Sequence, residues 1–87
     1  MADGAQMMAD VKVTLVVYRA ALQGVRPIPI RDRETVVERY LALRKQICID
    51  QRIENKPGSL EALPDETPLS LRGRELHTSL KNSLRRL

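Results

Sequence analysis

Proline placement constrains this chain more than any other feature. All five prolines stand in two clusters, Pro27 with Pro29 and, later, Pro57, Pro64 and Pro68. Each lacks an amide donor, fixes its own φ and biases the preceding residue towards extended backbone, so neither cluster fits inside a regular helix. "VRPIPIR" is therefore a stiff, short connector. Residues 54–70, "ENKPGSLEALPDETPLS", hold the other three prolines and Gly58. They read as a loop with one short turn at "SLEAL". A structureless loop that long is uncommon in a compact domain. It is expected to wrap a partner or lie over the surface of a larger assembly.

The segments between these breaks carry the regular structure. Residues 11–24 read two ways. As a strand, Val11, Val13, Leu15 and Val17 alternate with their neighbours, and the β-branched content suits that. As a helix, Val13, Val16, Val17, Ala20, Ala21 and Gly24 form one stripe, and Leu15, Tyr18 and Leu22 form another. The length favours helix, and Gly24 is a natural stop. Asp10 is the expected N-cap, with residues 1–9 as a flexible tail. The segment "RETVVERYLALRKQICIDQRI" is the clearest helix. Val36, Val37, Tyr40, Leu41, Leu43, Ile47 and Cys48 recur at helical spacing after an N-cap at Asp32, and fraying is expected between Asp50 and Asn55. The last segment sets Leu76, Leu80, Leu84 and Leu87 on one narrow stripe among arginines and lysines, while Gly73 weakens its first turn. The prediction is an all-α fold in a single domain spanning 1–87.

Composition narrows the function. Eighty-seven residues bury a modest core. One cysteine and one histidine exclude a disulfide and a four-ligand zinc site, so a partner is the expected extra source of stability. Fifteen Lys and Arg against 11 Asp and Glu give a net charge of +4, which favours an acidic partner. With only two Tyr and no Phe or Trp, there are few platforms for stacking single-stranded bases. No apolar run approaches the ~20 residues that span a bilayer. The start of the chain, "MADGAQMMAD", matches neither a secretory signal nor an Arg-rich transit peptide.

No catalytic constellation is present: the sequence has no Gly-rich phosphate loop, no paired-His motif and no CxxC. Cys48 is read as a buried, inert thiol, and His77 as a surface or partner-contact imidazole. No metal site and no catalytic residue are predicted. Basic side chains remain, with Arg19, Arg26, Arg31, Arg33, Arg39, Arg44 and Lys45 in the first half. Arginine forks bind carboxylate and phosphate alike.

The stretch "VYRAAL" resembles the Leu-Tyr-Arg motif of the LYR family. Here Val17-Tyr18-Arg19 stands for the tripeptide, Ala21-Leu22 follows, and "GVRPIPIRDRE" serves as the basic connector. Leu43-Arg44, followed by Lys45, takes the place of the second-helix aromatic-basic pair. Val17 departs from the usual Leu, and Leu43 from the preferred Phe. The resemblance covers about residues 13–47.

The Pro27-Ile28-Pro29 connector and the long Pro-rich loop before the last helix are further departures; the resemblance implies three helices in an elongated antiparallel bundle. It also implies a mitochondrial location on the matrix side and an acidic acyl carrier protein as partner, whose acyl-phosphopantetheine enters between the helices. Tyr18, Arg19, Arg44 and Lys45 would contact the carrier. Val13, Val16, Val17, Ala20, Val37, Leu41 and Leu76 would line the acyl tunnel. The chain would then be an accessory subunit or assembly factor of a large multi-subunit complex, respiratory or ribosomal. Two other readings stand beside it. One is a small basic RNA-contacting subunit of a ribosome-like particle; the other is a structural helical subunit with neither ligand.

Overall fold

The structure, a computed structural model, describes residues 3–24, 28–64 and 67–85, with side chains from residue 11 onward. Three helices follow in order, α1 (Asp3–Leu22), α2 (Ile30–Gln51) and α3 (Leu71–Arg85), and the described residues include no strand. Arg26, Pro27 and Leu87, singled out above, lie outside the described residues, as does the Asp10 side chain.

The two readings of residues 11–24 resolve to helix. α1 starts at Asp3, so residues 3–9 are helical where a flexible tail is expected, and Asp10 lies inside the helix rather than at its cap. Ala5, Gln6, Met7, Met8 and Ala9 all favour helix, which accounts for the longer run. Gly24 ends it with a φ of +86°, a conformation costly for any residue with a Cβ. α2 starts two residues before its expected cap, on Pro29, whose fixed φ suits entry into a helix. Asp32 sits in the first turn, where its charge favours the positive helix end. At the other end Arg52 adopts the left-handed conformation and its amide returns to the Cys48 and Ile49 carbonyls.

Ser70 caps α3. Its hydroxyl accepts from the Gly73 amide at 3.1 Å and donates to the Asp50 carboxylate near the end of α2. Arg39, nearer the start of α2, donates to the Ser79 carbonyl and the Ser83 hydroxyl late in α3. Early α2 therefore meets late α3 and late α2 meets early α3: the two run antiparallel. Gly73 leaves room for this cap, since a Cβ there would stand 3.3 Å from Ser70 Oγ.

The core is aliphatic. Val11, Leu15, Tyr18 and Ala21 of α1 face Val36, Leu43, Ile47 and Cys48 of α2 and Leu80 and Leu84 of α3, with Ile28 from the connector. Two expectations change here. On α1 the stripe of Val13 and Val16 faces solvent, and the stripe containing Tyr18 and Leu15 is buried, along with Val11. The larger side chains gain more by leaving water. On α3 the buried face runs Gly73, His77, Leu80, Leu84, so Leu76 is only half-buried. His77 is thus a core residue, 1% exposed, and not a surface imidazole. Thr14 Oγ1 lies 3.1 Å from its Nε2 and satisfies it across the α1–α3 seam.

The Pro-rich segment folds onto its own chain. Residues 56–63 form consecutive turns, among them Ala62 N to Gly58 O at 3.2 Å. Leu60 and Leu69 are buried in the core at 2% and 6% exposure. Lys12 Nζ donates to the Leu63 carbonyl at 3.0 Å. Among the described residues, no helix is long and apolar enough to cross a membrane.

Candidate functional site

The corner of α1 at Tyr18-Arg19 meets α2 and the 56–63 turns. Tyr18 points inward and is 4% exposed. Its ring stacks on Tyr40 with centroids 4.1 Å apart and planes 10° from parallel. An aromatic pair of this kind contributes about 0.5–1.5 kcal/mol beyond its area. Burial first, then the neighbouring Tyr40 phenol, pushes the Tyr18 phenol above its ordinary range. The aromatic that α2 offers Tyr18 is therefore Tyr40, three residues before Leu43.

Arg19, the next residue, points outward. Its Nη2 meets Glu61 Oε1 at 2.7 Å. Glu61 first, and the Tyr40 phenol second, favour the charged guanidinium. A hydrogen bond from its own backbone amide, then Arg19 and more remotely Arg44, hold the Glu61 carboxyl below its ordinary range.

Arg44 is buried. Its Nε donates to Asn55 Oδ1 at 3.3 Å and its Nη2 to the Lys56 carbonyl at 2.8 Å. Both acceptors are neutral, and among the described residues no carboxylate lies within 4 Å of this guanidinium. A buried cation in contact with neutral acceptors alone is unusual, because burial strips its hydration; Arg44 feels the Glu61 carboxylate only at longer range. Arg44 forms part of a cleft of about 330 Å³ with Arg19, Tyr40, Leu41, Lys56 and Pro57. Three cations thus surround one recess. Beyond Arg19 lies a second cleft of about 260 Å³ between α1 and the turns, lined by Leu15, Val16 and Leu60 with Lys12 and Glu61. Arg19 is the wall common to both.

Of the four residues expected to contact a carrier, Arg19 and Arg44 lie on one cleft, and Tyr18 stacks on Tyr40. Lys45 is exposed on α2 and lines neither cleft. The seven residues expected to line an acyl tunnel spread further. Val13, Val16 and Leu41 are 62%, 63% and 54% exposed, while Val17, Ala20, Val37 and Leu76 are half-buried. Val16 borders the apolar cleft and Leu41 the basic one. None of the seven belongs to the buried core. Tyr40, which the sequence assigns only to the helical stripe of α2, and Lys56 and Glu61, which it leaves in the loop, join the expected residues at this corner. Tyr40 carried a signal, as the other tyrosine and one turn before Arg44. Lys56 and Glu61 carried none, because tertiary folding of the turns delivers them.

Cys48 is buried as expected, with Sγ 3.8 Å from the Glu54 carbonyl. Among the described residues, no cluster of three His, Cys, Asp or Glu side chains could hold a metal. No family model, curated protein or solved structure matches the chain.

Proposed function

We propose that this chain is a non-catalytic helical adaptor of the LYR kind that docks an acylated acyl carrier protein at the Tyr18-Arg19 corner. It would act as an accessory subunit or assembly factor of a mitochondrial complex, on the matrix side. The observation that carries the reading is the basic recess: Arg19, Arg44 and Lys56 around one cleft, with the buried Arg44 touching only neutral acceptors among the described residues. Such a site favours an acidic surface, whose carboxylates would add counter-charge at the recess and set the register of docking.

Apolar ground adjoins the cations. Val16 and Leu41 border the clefts and Val13 is exposed. Uncovered aliphatic surface beside a basic recess suits a partner that is both acidic and lipid-bearing better than it suits RNA. Val17, Ala20, Val37 and Leu76, half-buried around the core, are where an acyl chain would part the helices. Each methylene so buried contributes about 0.8 kcal/mol. The antiparallel α2–α3 pair, with α1 alongside and extents of 35 × 26 × 20 Å, supports an elongated antiparallel bundle as the frame.

Calorimetric titration of the chain with apo, holo and acylated carrier protein tests the proposal. The acylated form should bind tightest, and affinity should fall with salt and with Arg19→Glu. Absence of carrier binding at low salt refutes the reading. If the chain instead binds RNA with strong salt dependence, it is a basic RNA-contacting subunit.

A further inference from the structure

A carboxylate of its own chain holds Arg19. The pair with Glu61 is 2.7 Å long, and the two side chains are 50% and 48% exposed. Glu61 lies in the 56–63 turns, which other contacts also fix. Leu60 is buried beside it, Lys12 holds the Leu63 carbonyl, and Arg44 holds Asn55 and the Lys56 carbonyl. The Glu61 side chain can therefore swing off Arg19 without displacing the turns. A half-exposed ion pair is weak because water and salt screen it. The same guanidinium pairs more strongly once a docked surface excludes water. Arg19 borders both clefts, so whatever occupies its fork governs what each cleft offers a partner.

We propose that Glu61 is a resident surrogate ligand: its carboxylate occupies the Arg19 fork until a carboxylate of an acidic partner protein replaces it. This inference rests on the acidic-partner reading above. In the free protein the surrogate keeps Arg19 paired, while the other contacts hold the turns against α1. On docking, one carboxylate leaves as another arrives, so Arg19 stays paired throughout. The released Glu61 then adds a negative charge beside an acidic partner. The surrogate thus weakens docking twice, by competing for Arg19 and by repelling what displaces it.

The test titrates the full chain with two probes, an acylated carrier protein and a short oligo-glutamate peptide. Wild type is compared with Glu61→Gln, which keeps the shape and removes the charge. Glu75→Gln is the control. It removes the same charge from the Arg72 pair on α3, away from both clefts. Glu61→Gln should bind both probes about threefold tighter, the scale of one exposed pair. Glu75→Gln should bind like wild type. Equal carrier affinities for wild type and Glu61→Gln overturn the surrogate role and leave the adaptor reading standing; so does equal tightening by Glu75→Gln. Tighter peptide binding by Glu61→Gln, with no carrier binding by either protein, keeps the surrogate role and removes the carrier. Binding of neither probe to either protein overturns both.

Discussion

Replacing Leu60 with Ala tests whether the Pro-rich segment is part of the fold or a tether between helices. Leu60 sits in a turn outside the helices, yet it is 2% exposed, belongs to the same core as Leu15, and lines the apolar cleft with Leu15 and Val16. Full burial puts a Leu→Ala change at about 2–5 kcal/mol, more where the void cannot collapse. Here the site already borders an open cleft, so water or a neighbouring side chain can fill the gap, and the lower end, about 2 kcal/mol, applies. At about 2.1 cal/mol/K of unfolding entropy per residue, an 87-residue chain has about 0.18 kcal/mol/K, and Tm falls by about 11 °C. Thermal unfolding followed by far-ultraviolet circular dichroism reads this directly, because all three helices report together in a two-state transition. Leu71→Ala is the control: Leu71 is 74% exposed and its loss should stay within about 0.5 kcal/mol. A Leu60→Ala protein melting within 2 °C of wild type would show that the turns do not pack on the core, and the basic cleft they complete would go with them.

Other perturbations follow from the same contacts. Arg44→Met removes the donor to Asn55 and to the Lys56 carbonyl; amide exchange across residues 55–60 should quicken while the α2–α3 pair stays protected. Thr14→Val takes the partner from His77 Nε2 and should destabilise the fold by about 1–3 kcal/mol in urea unfolding, whereas Thr14→Ser keeps the oxygen and most of the stability. Gly24→Ala forces a Cβ into a positive-φ conformation and should cost about 1 kcal/mol, since open space around it leaves only backbone strain. The Glu61 carboxyl is held below its ordinary range, so its tie to Arg19 is intact above the unfolded-chain value and lost as pH falls through the folded one. A side-chain NMR titration should place the Glu61 midpoint below that of glutamate in an unstructured peptide.

The sequence exposed the frame of this fold more readily than its faces. The prolines divide the chain into three segments, and each segment became a helix between the expected breaks. Gly24 stopped α1 as anticipated, and α2 ended at Gln51, inside the expected fraying zone. The choice of face on α1 was not legible: valines, leucines and alanines surround that helix, so no polar side marks its outer surface. The structure buries Val11, Leu15 and Tyr18 and leaves Val13 and Val16 in solvent. α3 posed the reverse difficulty. Its leucine spacing pointed to Leu76, but the buried face runs through Gly73, His77, Leu80 and Leu84, and Thr14 satisfies His77 there. Neither Gly73 nor Thr14 carries a local sign of that role.

The candidate site divides the same way. Arg19 and Arg44 could be singled out in sequence as basic side chains on helices, and they share a cleft. Their circumstances could not be read there: Arg19 is matched with Glu61, and Arg44 is buried beneath the turns. Both facts depend on a segment that composition marked only as loop.

The central claim is that the basic recess binds an acidic, acyl-bearing carrier, and native mass spectrometry of the protein, gently purified from its own source, tests it most directly. The account predicts a one-to-one complex with a small acidic protein carrying phosphopantetheine plus an acyl mass, which Arg19→Glu releases. A wild-type chain that arrives alone, or with RNA in place of the carrier, contradicts it.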